Sequence, residues 1–238
     1  MIERLGGEIA HVLKERPYRL IVGHGSGSFG HRAAARFKLT EGLRVPLQLT
    51  GVSMTQEQAA TLHRFVIGSL SEVEANPFSI APSSFVVAAG GRPVSFHDEA
   101  LLLAYDRGML PVLYGDVVMD REQGVAIVST ETLLTLVAKR LLARGTVVRR
   151  AVWLGETDGL YDADGRTIPR LSPDDFETAL QAVGDPSGTD VTGGMRLRLE
   201  TACELARLGI PSLLVNGTKP GNLEKAVRGG PVPGTLVE

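Results

Sequence analysis

The stretch Val22-Gly23-His24-Gly25-Ser26-Gly27-Ser28-Phe29-Gly30-His31 holds the densest set of residues able to do chemistry. It follows the apolar run Leu20-Ile21-Val22. Glycines at 25, 27 and 30 allow a tight turn whose backbone N–H groups face an anion. His31 closes the turn with a ring that can donate to a phosphate oxygen or become cationic beside it. The same residues also fit an ordinary turn with a histidine facing solvent.

Two further clusters have similar character. Thr157-Asp158-Gly159-Leu160-Tyr161-Asp162 follows the apolar run Ala151 to Leu154, where ligands bind in open α/β sheets, although Asp and Gly are also common turn residues. Asp190-Val191-Thr192-Gly193-Gly194-Met195-Arg196-Leu197-Arg198 opens a helical pattern. Asp190 or Thr192 can cap it, the helix N-terminus favours phosphate, and Arg198 lies one turn after Gly194. A capped helix with solvated arginines reads equally well. Gly115-Asp116 follows the strand at Val112 to Tyr114 and either binds ligand or begins a hairpin, the hairpin being the favoured reading.

Several chemistries are disfavoured. Gly25 to Gly30 spells G-x-G-x-x-G, but the dinucleotide fingerprint needs an acidic residue about 20 positions on, where the chain reads Val45-Pro46-Leu47-Gln48-Leu49-Thr50. No serine has glycines at both −2 and +2, which removes the hydrolase elbow. Asp158 to Gly165 misses the spacing and terminal glutamate of a calcium loop. No His, Cys and carboxylate set has zinc spacing, so no metal ligands are assigned.

The elements that must carry these clusters alternate between helical and β-branched patterns. Helices are predicted over 3–15, 53–75, 98–107, 130–144, 174–183, 194–208 and 223–227, and strands over 19–22, 110–114, 147–154, 210–215 and 235–237. Hairpins are predicted at 85–96 and 116–128. Helices between apolar strands imply a mainly parallel sheet covered on both faces, hence an α/β fold. A soft boundary falls near Arg144-Gly145.

The 238 residues carry a net charge of −2, with 22% charged and 43% hydrophobic residues. Nothing in this balance points to nucleic acid or a membrane surface, and no signal sequence is read at the N-terminus. The lone Cys203 fits a reducing cytoplasm.

Taken together and in order, the motifs resemble those of the amino acid kinase superfamily, most closely its isopentenyl phosphate kinase family. His24 to His31 is similar to H-G-G-G-S-F-G-H, and Pro111 to Val117 to P-V-L-x-G-D-V. Thr157 to Asp162, Asp190 to Met195 and Asn216 to Leu223 are similar to T-D-G-V-Y-D, D-V-T-G-G-M and N-G-x-x-P-G-N-L. The resemblance implies a three-layer αβα sandwich of the amino acid kinase type in a single domain over 1–238. An acceptor-phosphate lobe would span 1–144 and a nucleotide lobe 145–238. ATP and Mg²⁺ would be the cofactors, a small-molecule phosphate the substrate, and a cytoplasmic homodimer the assembly.

By motif, Ser26, Gly27, His31 and Thr130 would contact the acceptor phosphate, with His31 catalytic, and Asp158, Gly193, Gly194 and Arg198 would serve the nucleotide. Met54, Leu62, Phe65 and Val66 would wall an apolar tail, unless they are a plain core stripe. Ser26 replaces the middle glycine of the loop, and Arg198 stands where the family has lysine. The family also opens with a strand and a K-x-G-G-S loop that has no counterpart before His24, so a natural N-terminal segment preceding Met1 is expected. A fosfomycin-type phosphonate kinase and a non-catalytic nucleotide- or phosphate-binding member remain the alternatives.

Overall fold

The computed structural model describes residues 1–15, 18–182 and 194–238. The chain divides into two compact units, one made of Leu13–Leu134 and the other of Glu3–Val12 together with Thr135–Glu238. The first helix, α1 (Ile2–Lys14), thus belongs to the unit built mainly from the C-terminal half. It buries Ile9, Ala10 and Val12 along one stripe.

The continuous unit opens with β1 (Val22–His24), α2 (Gly27–Arg36) and the long α3 (Leu47–Glu72). β2 (Pro77–Ser79) and the β3 (Val86–Ala89) and β4 (Arg92–Phe96) hairpin follow. Then come α4 (Glu99–Asp106), β5 (Leu110–Tyr114), and the hairpin of β6 (Asp116–Asp120) and β7 (Gly124–Val128). β5 is buried throughout and runs parallel between β1 and β2, with His24 opposite Tyr114 and Ser79 opposite Val112. The two hairpins form a second sheet, joined by the parallel pairing of β3 with β6. Asp120 closes it: burial opposes the charge of its carboxylate, but N–H groups of Gln123, Gly91, Glu122 and Gly90 together hold its pKa down.

Helix α5 (Thr130–Ala143) begins in this unit and continues into the other. The second unit holds β8 (Ala151–Gly155), β9 (Arg170–Leu171), α6 (Phe176–Ala182), α7 (Gly194–Arg207), β10 (Ser212–Asn216), α8 (Asn222–Arg228) and β11 (Gly234–Val237). Its sheet has the order β8-β10-β11-β9. Leu213, Val215 and Ala226 form a core cluster against Val152, Leu154, Val232 and Leu236.

The α/β class and the mainly parallel pairing match the expectation, while β11 runs antiparallel to β10. Strand bounds move where pairing overrides apolarity. The first strand is Val22–His24 rather than 19–22, because only these residues face Val112–Tyr114. β8 starts at Ala151 rather than 147, its partner being Ser212, and Val147 is exposed. Helix α3 starts six residues before the predicted 53. There, buried Gln48 accepts the N–H groups of Arg44 and Val45 and donates to the carbonyls of Phe37 and Gly42. Such a side-chain bracket fixes the helix entry that Pro46 begins. The helix predicted over 174–183 is α6 preceded by a short 3₁₀ turn at Pro173–Asp175, and residue 183 lies outside the described residues.

Candidate functional site

The glycine-rich segment is less a loop than an abrupt strand-to-helix turn. β1 ends at His24, Gly25 and Ser26 make the connection, and α2 begins at Gly27. Its free N–H groups are those of a helix N-terminus, which carries partial positive charge. Ser26 occupies the cap position but its side chain makes no capping bond, so the hydroxyl stays available. His31 lies one turn inside α2 and is exposed. Ser26, Gly27 and His31 are therefore brought together on one short segment.

Thr130 sits at the start of α5 and is buried. Its hydroxyl donates to the His24 carbonyl at 2.6 Å, and the Gly115 N–H reaches the same oxygen at 3.1 Å. It anchors the end of β1 beneath the turn. The approach is close: a Cβ on Gly23 would lie 2.4 Å from Thr130 Cγ2, so only glycine fits there.

Below the turn lies a constellation the sequence did not reveal. The His24 ring stacks on Tyr114 at 5.7 Å and on His63 at 5.2 Å between centroids. His24 Nδ1 is 2.9 Å from the Gly25 carbonyl, and His24 Nε2 is 2.9 Å from His63 Nδ1. His63 Nε2 in turn lies 2.8 Å from Ser79 Oγ. Burial lowers the His24 pKa against the bond to Gly25. Burial and then the neighbouring His24 bring His63 down to about 4, so both rings are neutral near pH 7. Burial, with Asp116 adding, pushes Tyr114 up to about 12. Asp116 is itself raised by burial to about 6 despite bonds from Val117 and Ser83. The only sequence signal for this cluster is His63 on the i, i+4 stripe Gly51-Thr55-Ala59-His63, which is the buried face of α3. Met54, Leu62 and Val66 flank that stripe half-buried and Phe65 is exposed, so they are not the core stripe of this helix.

The second unit has its own polar end. A narrow cleft at the carboxyl end of β8 is lined by Trp153, Gly155, Thr157, Gly159, Met195 and Arg198. Gly194 opens α7 and is exposed, Arg198 follows one turn later beside Gly155, and Gly193 lies outside the described residues. The buried indole Nε1 of Trp153 has no hydrogen-bond partner among the described residues. Asp158 is bonded by Lys219 at 2.6 Å, which with Asn216 holds its carboxyl below the usual range. The loop is pinned at Gly159, whose φ of +94° and distance of 2.4 Å from a Cβ to Thr235 Oγ1 exclude other residues.

Helix α1 clamps the segment that carries Lys219. The Arg4 guanidinium bonds the Gly217 carbonyl and the Glu8 carboxylate. Glu8 then accepts the N–H groups of Gly221 at 3.1 Å and Glu224 at 3.2 Å, capping α8 from outside. Sequence reasoning missed Arg4, Glu8 and Lys219, whose partners lie more than 200 and 60 positions away. Among the described residues no cluster of three or more His, Cys, Asp or Glu could hold a metal ion. No helix there is long and apolar enough to cross a membrane.

Comparison with known proteins places this arrangement in context. Residues 2–216 match the Amino acid kinase family. Isopentenyl phosphate kinase of Methanothermobacter thermautotrophicus is 31% identical, across 99% of this chain and 89% of that protein. The enzyme of the same name from Methanocaldococcus jannaschii is 27% identical, across 100% and 89%. A solved isopentenyl phosphate kinase structure superposes with a TM-score of 0.80 at 26% identity, covering 99% of this chain and 89% of its own.

Proposed function

The chain belongs to the amino acid kinase family, and from that premise we propose that it transfers the γ-phosphate of ATP to isopentenyl phosphate, giving isopentenyl diphosphate. The observation that carries this reading is the strand-to-helix turn at His24–His31, which presents Ser26, the α2 N-terminus and the exposed His31 within one turn of helix. In this reading, Ser26 and the N–H of Gly27 hold the acceptor phosphate. His31 donates to the oxygen that attacks, and Thr130 keeps the turn in place through the His24 carbonyl. Donor and acceptor are both anionic, so catalysis consists of positioning and charge neutralisation.

The nucleotide phosphates would be held by the start of α7 at Gly194 and by Arg198, with Asp158 and Lys219 bordering the same loop. Mg²⁺ would enter with ATP, keeping its waters and neutralising phosphate charge, since it binds chiefly through substrate phosphates and a few carboxylates. A cytoplasmic homodimer belongs to the same reading and rests on the family likeness and on the lone Cys203.

An ADP-release assay with isopentenyl phosphate, dimethylallyl phosphate and fosfomycin tests the acceptor. Turnover confined to the two prenyl phosphates is the expected outcome, and turnover with fosfomycin alone refutes it. His31→Ala should lower kcat by at least about a hundredfold, the lower range for a lost proton-handling group, with ATP affinity nearly unchanged. Undiminished turnover in that variant removes His31 from the mechanism.

A further inference from the structure

Four groups in the continuous unit form an uninterrupted chain: the Gly25 carbonyl, His24, His63 and Ser79. Their chemistry fixes the direction of every hydrogen bond. A carbonyl only accepts, so His24 Nδ1 carries a proton. In a neutral ring the other nitrogen then accepts, so His24 Nε2 receives the proton of His63 Nδ1. His63 Nε2 must then accept, and the Ser79 hydroxyl donates to it. The neutral chain runs one way, from exposed Ser79 on β2 to the first residue of the glycine turn.

The same geometry admits a protonated state whose charge lies beside the turn. A proton from solvent enters at His63 Nε2, and the Ser79 hydroxyl rotates to accept it. The Nδ1 proton of His63 crosses 2.9 Å to His24 Nε2. His24 becomes an imidazolium and His63 stays neutral as the opposite tautomer. One proton is gained from solvent and no other bond changes. A second proton would set two cations face to face at 2.9 Å, so the pair holds one proton at most.

We propose that His24 and His63 together form a one-proton site that fills when a phosphate group occupies the turn at Ser26–Gly27, which makes His63 a positioning residue that places positive charge under the bound acceptor. The proposal rests on the reading of that turn as the acceptor-phosphate site. His24 is followed directly by Gly25 and Ser26, so the charge arises next to the anion. The groups that face the pair are few. Tyr114 on β5 stacks on the His24 ring, lies tilted against the His63 ring and stays protonated, while Asp116 on β6 and Arg64 on α3 act on it with opposite signs. The Thr130 hydroxyl is directed at the His24 carbonyl. In the free protein burial keeps both rings neutral near pH 7, so an anion has a proton site to fill.

Two measurements test this. Nitrogen-15 NMR of the histidine rings in the wild-type protein should show Nδ1–H tautomers for both His24 and His63. Saturation with isopentenyl phosphate should convert His24 to the doubly protonated form and His63 to the Nε2–H tautomer. Calorimetric titration of isopentenyl phosphate in buffers of different ionisation enthalpy should show more proton uptake by wild type than by His63→Leu, approaching one proton. The variant should bind the acceptor about tenfold more weakly, the factor for one pH unit of displacement. Unchanged ring tautomers on binding, or equal uptake in both proteins, overturn the proposal. Failure of isopentenyl phosphate to bind at all overturns the acceptor reading and this inference with it. The wild-type NMR result stands whether or not the variant folds.

Discussion

Asp116 and His63 should pull the acid-range stability of the protein in opposite directions, and Asp116→Asn should leave only the pull of the histidines. Asp116 is buried at the start of β6, which raises its carboxyl from 3.8 to about 6. Between those values the native state binds a proton that the unfolded state does not. Stability from this group is therefore full below about pH 4 and is lost as pH rises through about 6, and the displacement is worth about 3 kcal/mol. His63 has the opposite sign, because its native pKa is lowered from 6.5 to about 4. Its contribution is present above about pH 6.5 and is lost as pH falls through about 4, again about 3 kcal/mol. His24, also lowered, adds to the His63 slope.

Removing the carboxyl leaves the histidine slope unopposed. Urea unfolding followed by far-UV circular dichroism should show the variant gaining about 3 kcal/mol on wild type between about pH 4 and pH 7. The single tryptophan, Trp153, lies in the other unit and is the wrong probe for this one. A stability of the variant relative to wild type that stays constant with pH, or falls as pH rises, refutes the reasoning.

Glu8→Ala leaves two backbone N–H groups without their acceptor and takes one of its acceptors from Arg4, and should destabilise the protein by about 1–3 kcal/mol, with KM for ATP raised more than kcat is lowered. Glu8→Gln should recover part of both, and an unchanged melting temperature in the alanine variant would count against the clamp. Gly159→Ala combines a strained φ with a clash against Thr235 and should cost at least about 2 kcal/mol by thermal denaturation. A melting temperature within about 1 °C of wild type would show that the loop rearranges freely.

The order of elements was legible because local chemistry repeats it: β5, both hairpins, α5 and α7 stand where apolar runs, turns and helical spacing put them. The bounds that failed were set by partners distant in sequence. β1 slid toward His24 to pair with Val112–Tyr114, and α3 began early because Gln48 closes on Arg44, Val45, Phe37 and Gly42. The residue types of the glycine turn suggested an anion site as readily as an ordinary turn, and gave no sign of the histidine pair beneath it. His24, His63 and Ser79 sit on separate elements, and no periodicity links them. Arg4, Glu8 and Lys219 escaped for the same reason.

The placement of α1 sets an order for synthesis. This helix is made before the groups it binds, the Gly217 carbonyl and the N–H groups of Gly221 and Glu224, which follow it by more than 200 residues. The unit spanning Leu13–Leu134 is continuous and can close while the rest is still being made. Until then, Ile9, Ala10 and Val12 have no core to enter. Helix α1 therefore acts as a late latch: it can seat only once Gly217 to Glu224 have been made, and a nascent protein halted before Gly217 carries that apolar stripe uncovered.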